Sequence, residues 1–175
     1  MVPLHEIQDL LSCDQLRSLE YSWVEADQVV QPYRDLLCHD RDMTSTLAGF
    51  HEGSVSLHVF QTESEQDAYL REVLLRVGEK AVEYGVIRIY LENFPAALRE
   101  AVVAAQKPLG SILNESGLSY SSEPGGFLKI SGQSFQPDFF LSPSSKFLFG
   151  RYNTLLDAKR RVLARIIEIL PPELP

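Results

Sequence analysis

Cysteine is scarce in this chain. Its 175 residues hold two, Cys13 and Cys38, which are too few for a disulfide framework and lack metal-type spacing. Two reduced, partly buried thiols are expected, as in intracellular proteins. Long apolar runs are lacking too. None reaches transmembrane length, and the start Met1-Val2-Pro3-Leu4-His5-Glu6 has neither a basic segment nor an extended apolar stretch, so a cytoplasmic protein without a membrane partner is expected. Positive charge is in deficit, with 16 basic against 24 acidic groups and a formal net charge of −8. A surface of that sign repels nucleic acid and anionic membranes, which excludes both as general partners. An anionic small molecule would need a local basic pocket set against the global field.

Familiar catalytic signatures are also missing. There is no P-loop, no dinucleotide fingerprint and no Gly-x-Ser-x-Gly elbow. His5, His39, His51 and His58 have no carboxylate or cysteine at ligand spacing and read as surface or packing residues, so neither metal nor cofactor is expected. The basic run Lys159-Arg160-Arg161, with Arg165, reads as a solvated turn of an acidic protein.

What the chain does contain is the make-up of a globular fold, 45% hydrophobic and 23% charged, expected to form one domain over residues 1–175. Residues 1–31 read as a helical N-terminal extension, with Leu4, Ile7, Leu10 and Leu11 at helical spacing and Ser12 or Asp14 as a cap for a second turn holding Leu16 and Leu19. Asp42 is a candidate N-cap for a helix through Met43, Leu47 and Phe50, with Gly53 as its stop. Residues 54–61, 69–77 and 81–91 then predict three strands in an antiparallel meander. A helical pair follows, one helix after Phe94-Pro95 and one started by Pro108 and ended by Gly117. Strands are predicted around 118–122 and 127–130, and a final hairpin pairs 146–156 with 161–170. The expected architecture is α+β: a single antiparallel sheet of about six strands, helices on one side, and the helical pair inserted mid-chain.

Strand phase marks two residues. Arg71 is in step with Val73, Leu75 and Val77, and Glu168 with Val162, Ala164, Ile166 and Leu170, so both charges point toward faces that otherwise read as core. An ionised group there costs several kcal/mol unless it is paired or serves a ligand. The two could therefore form a structural ion pair with each other, or line a site. Lys107-Pro108-Leu109-Gly110-Ser111 adds a helix start whose free N–H groups suit a carboxylate or phosphate.

In order along the chain stand Tyr33-Arg34-Asp35-Leu36-Leu37, Asp42-Met43-Thr44, Leu70-Arg71-Glu72-Val73, Glu83-Tyr84-Gly85-Val86-Ile87, Pro108-Leu109-Gly110, Gly150-Arg151-Tyr152-Asn153-Thr154-Leu155 and Glu168-Ile169-Leu170-Pro171. With these segments the chain resembles the chorismate pyruvate-lyase family between about Pro32 and Pro172, although Tyr152 stands where relatives often carry a second basic residue at the pocket rim. The resemblance implies a lyase that converts chorismate to 4-hydroxybenzoate and pyruvate without metal or cofactor. It places the ligand contacts on Met43, Arg71, Leu109 and Glu168. In that reading Arg71 holds the ring carboxylate, the N–H groups at Leu109 and Gly110 meet a carboxylate, and Glu168 contacts the ring hydroxyl as base or orienting group. Met43 and Leu109 wall the ring, and Gly85 either makes room for it or serves strand geometry. Two alternatives accompany it: a non-catalytic binding module for a small aromatic or cyclic carboxylate, of the kind found in effector-binding domains of transcription regulators, and an enzyme acting on a different cyclic carboxylate.

Overall fold

The computed structural model describes residues 7–8, 10–13, 16–65, 68–140 and 146–172. Their strands are β1 (Tyr21–Val24), β2 (Val55–Ser64), β3 (Tyr69–Val77), β4 (Lys80–Ile89), β5 (Tyr120–Ser131), β6 (Phe147–Asp157) and β7 (Val162–Ile169). The α-helices are α1 (Tyr33–Leu37), α2 (Met43–Phe50), α3 (Ala96–Ala104) and α4 (Leu109–Ser116). All seven strands join one sheet in the order β1-β5-β6-β7-β4-β3-β2, with antiparallel neighbours throughout. The expected α+β architecture, meander, final hairpin and inserted helical pair (α3 and α4) are all present.

Two expectations are corrected. Residues 1–31, expected as a helical N-terminal extension, are of mixed structure where they are described: Ile7 and Gln8 are helical. Residues 10–12 and 26–28 form short 3-10 turns, and Tyr21–Val24 pairs with Phe127–Ile130 as the edge strand β1. Leu4 and Asp14 lie outside the described residues. Beside the β1–β5 pairing the Trp23 ring lies over Gly126, where a Cβ would come 2.6 Å from the indole. The second correction concerns the strands predicted around 118–122 and 127–130. They are one strand, β5, whose pairing with β6 shifts register between Pro124 and Gly126. Proline has no ladder N–H to give, and the irregularity absorbs that loss without ending the strand.

Alternation along the strands gives the sheet two apolar faces. On one, Leu74, Tyr84, Val86, Leu128, Ile130, Tyr152 and Ile167 pack with Ile7, Leu10 and Leu16 and with Phe135 and Phe140 of the loop after β5. Tyr152, expected at the rim of a ligand pocket, is buried in this cluster and therefore faces away from the helices. On the other face lie two clusters. One joins Ile87, Leu155 and Ile166 to Val102, Leu109 and Leu113 of α3 and α4, and the other joins Leu75 and Phe149 to Leu36, Leu37, Met43 and Leu47 of α1 and α2. Helices α1 to α4 are thus on one side, as expected.

Asp42 caps α2, its Oδ1 accepting from the Ser45 N–H at 2.8 Å. Gly117, at φ +69°, ends α4 in the left-handed region that glycine adopts without penalty. Helix α2 starts against α4 because Gly110 has no side chain. A Cβ there would stand 2.9 Å from Thr44 Oγ1 and 3.0 Å from Asp42 Oδ1.

At the centre of the sheet, a Cβ on Gly150 would lie 2.5 Å from the Glu168 carbonyl oxygen, which is backbone and cannot swing away. Gly150→Ala is expected to cost roughly 1–3 kcal/mol through overpacking. Gly49, exposed in α2 with nothing within 4 Å of its Cβ position, should tolerate alanine with a gain of up to about 1 kcal/mol. Urea unfolding of both variants checks the pair, and equal stabilities would contradict the packing described.

Candidate functional site

Between the two helix-side clusters lies a cavity whose floor is the sheet. It is lined by Arg71, Val73 and Leu75 from β3, Glu83, Gly85 and Ile87 from β4, Ile166 and Glu168 from β7, Asn153 and Leu155 from β6, and Leu57 from β2. Its roof is formed where two helices begin: Asp42, Met43 and Thr44 at the start of α2, and Pro108, Leu109 and Gly110 at the start of α4. The space open to the centre of a water-sized sphere is about 60 Å³. One water needs roughly 10–15 Å³ by that measure, so the cavity can enclose a small molecule but not a polymer segment.

All six residues singled out in the sequence, Met43, Arg71, Gly85, Leu109, Gly110 and Glu168, line this one cavity. Register explains the convergence. Arg71 pairs with Ile87, Val73 with Gly85 and Leu75 with Glu83, while Gly85 also pairs with Glu168 on its other side. Gly85 contributes space: a Cβ would come within 3.3 Å of both Glu83 Oε1 and Val73 Cγ2, and its φ is one that any residue adopts.

The structural alternative of an Arg71–Glu168 ion pair is not what forms. Glu168 Oε2 accepts from Nε of Arg151, its cross-strand partner on β6. Arg151 is fully buried, and its remaining N–H groups donate to the carbonyls of Leu37 (3.3 Å), His39 (3.1 Å) and Arg41 (3.4 Å). His39 completes the arrangement from its own side. Its Nε2–H donates to the Leu36 carbonyl at 2.7 Å, while Nδ1 accepts from the Arg41 N–H at 3.1 Å. Burial first, and then the Arg151 charge, keep the His39 ring neutral by lowering its pKa.

Arg71 is in the opposite condition. It is 1% exposed, yet among the described residues no carboxylate pairs with it. Its contacts are a 3.4 Å bond from Nη1 to the Val102 carbonyl in the last turn of α3 and a 6.0 Å approach to the Tyr69 ring. Its Nε is buried with no acceptor. Burial lowers its pKa to about 10, so the cation persists at neutral pH at a cost to the fold.

Glu83 is the second strained group. It is 4% exposed, and its Oε2 is buried without a partner. Burial, and then the neighbouring Glu168 charge, push its carboxyl well above the usual range, against an opposing effect of Arg151. Glu83, Arg151 and Asn153 stand within the segments that carry the family resemblance but are not among the ligand contacts it implies. The signal was there: each is in step with inward residues of its own strand, as Arg71 is. Asn153 donates to Ser122 Oγ at 3.0 Å, an internal pair that orients it. Among the described residues no group of three or more His, Cys, Asp or Glu could hold a metal ion.

Neither a family model nor a curated protein sequence matches the chain. Its fold is similar to that of the effector domain of PhnF from Mycobacterium smegmatis, at a TM-score of 0.51 and 10% identity over 75% of this chain and 88% of that one. A GntR-family transcriptional regulator from Bacillus cereus gives a TM-score of 0.47 and 14% identity over 69% of this chain and 96% of that one. At such identities the likeness concerns the fold alone. No helix among the described residues is long and apolar enough to cross a membrane.

The two arginines should respond oppositely to removal of their charge. Arg151→Met strands a buried Glu168 and is expected to cost on the order of 3–5 kcal/mol. Arg71→Met removes an unmatched cation and should leave the ligand-free protein as stable as before, or more so. Urea midpoints decide this, and comparable losses in both variants would contradict the assignment of Arg71 as unpaired.

Proposed function

We propose that this domain binds a small organic anion in the enclosed cavity, and that Arg71 receives its negative group. The observation that carries the reading is the buried guanidinium with an orphaned Nε–H, since a cation in apolar surroundings is costly until an anion completes it. A carboxylate would accept from that fork in a charge-assisted bidentate pair. Met43, Val73, Ile87, Leu109, Leu155 and Ile166 supply apolar walls for the body of the ligand, consistent with the aromatic or cyclic carboxylate implied by the family resemblance. In PhnF the fold serves as an effector domain, which is consistent with binding rather than turnover.

Elimination of pyruvate from chorismate is the second reading. It is favoured by Glu168, a carboxylate beside the same cavity as Arg71. In it Arg71 fixes a reactive conformer of a substrate whose aromatisation supplies the driving force, and Glu168 holds or takes a proton. Its Oε2 is occupied by Arg151 Nε, so the other oxygen would act.

Thermal unfolding with benzoate and with 4-hydroxybenzoate at millimolar concentration tests the first reading. Both ligands should raise the melting temperature of the wild type by linkage. Arg71→Met should weaken both by about a hundredfold, which corresponds to the roughly 2–3 kcal/mol of a charge-assisted contact. No shift with either acid would refute the enclosed anion site. In parallel, incubation with chorismate followed by chromatography separates the readings: equal amounts of 4-hydroxybenzoate and pyruvate would make the protein a lyase, and unchanged chorismate would leave it a binding module.

A further inference from the structure

We propose that Glu83 sets which anion is accepted: a monoanion whose far end carries an uncharged hydrogen-bonding group, such as a hydroxyl, and not a second carboxylate. This rests on Arg71 receiving the anionic end.

The register separates the two ends of the cavity. Arg71 and Leu75, the partner of Glu83, lie four residues apart along β3, about 13 Å at the usual rise per residue. Between them Gly85 leaves a gap that the Glu83 side chain borders, its Oε1 3.3 Å from the Gly85 Cβ position. Three features at the Glu83 end determine what it can receive. Glu83 lines the cavity, and its Oε2 is buried with no hydrogen-bond partner, so a polar atom from a ligand would complete the carboxyl. Glu168 stands beside it with its charge already matched by Arg151. Arg151 itself is committed to that carboxylate and to three backbone carbonyls, and among the described residues that line the cavity the one cation is Arg71.

A second carboxylate here would meet two acidic side chains. Turning it toward the N–H groups of Leu109 and Gly110 brings it against Asp42, whose Oδ1 stands 3.0 Å from the Cβ position of Gly110. A neutral Glu83 carboxyl, by contrast, is a donor, and Glu168 is an acceptor, so a hydroxyl between them is matched on both sides. Burial and the Glu168 charge both favour the protonated form of Glu83, which agrees with this role. Chorismate, with two carboxylates, fits this end poorly.

Calorimetry near pH 7 with benzoate, 4-hydroxybenzoate and benzene-1,4-dicarboxylate tests the proposal. On the wild type, 4-hydroxybenzoate should bind about tenfold tighter than benzoate, the equivalent of one good hydrogen bond, and the dicarboxylate at least about a hundredfold weaker. Glu83→Leu should erase the preference for the hydroxyl while benzoate still binds, and Glu83→Gln, a neutral donor of the same shape, should restore it. Infrared difference spectra of wild type and Glu83→Gln should show a neutral carboxyl band that the substitution removes. Equal affinities for the three acids, loss of the preference in Glu83→Gln, or absence of that band would overturn the proposal while leaving the Arg71 site standing. Failure of benzoate and 4-hydroxybenzoate alike to bind the wild type would instead remove the anion site on which it rests.

Discussion

Arg151 ties the helical layer to the sheet. From the centre of β6 it grips Glu168 on β7, and its remaining donors reach the carbonyls of Leu37, His39 and Arg41, the segment that runs from the end of α1 to the start of α2. Of those carbonyls Leu37 is one that a helix end leaves without an internal partner. A buried cation that satisfies them offsets its own desolvation and fixes the path of the chain at the same time. Asp42, the next residue, caps α2, and Met43 follows as the first helical residue over the cavity. The close approach permitted by Gly150 and Gly110 completes the frame. One guanidinium therefore decides where half of the cavity roof sits.

Against that fully matched arginine, Arg71 stands out. Both are buried, both rise from the same face of the same sheet, and both lie among apolar neighbours, yet one has a carboxylate and three carbonyls and the other has one long bond to Val102. A fold that can satisfy a buried guanidinium so thoroughly at one position leaves another incomplete three strands away. Structural need does not account for the second, because an apolar side chain of similar length would pack there at lower cost. The anion proposed to arrive from solution would account for it. The unpartnered Glu83 oxygen supports the same conclusion, since together the two groups describe a polar ligand with an apolar middle.

Much of this could be read from the chain. Arg71 and Glu168 are legible because strand alternation is rigid: a charge in step with valines and leucines must face what they face. The helices over the cavity are legible from Asp42, Pro108 and Gly117, each of which has one local meaning. What could not be read is pairing across the sheet. Glu168 was open to Arg71 or to a ligand, and only the β6–β7 register gives it to Arg151. Glu83 was hidden because its consequence depends on Glu168, which is remote in sequence and adjacent through the β4–β7 register. Strand β1 is not legible because four residues carry too little alternation to outweigh the helical spacing before them, and both its pairing with β5 and the approach of Trp23 to Gly126 are tertiary.

The central claim is that Arg71 is incomplete until a ligand's anion joins it. A crystal structure with 4-hydroxybenzoate tests that claim at the atom concerned. The account predicts the carboxylate within hydrogen-bond distance of Arg71 Nε, about 2.7–2.9 Å, with the ring between Met43 and Leu109. A carboxylate bound elsewhere, with Arg71 still turned to the Val102 carbonyl and its Nε unpaired, would contradict it.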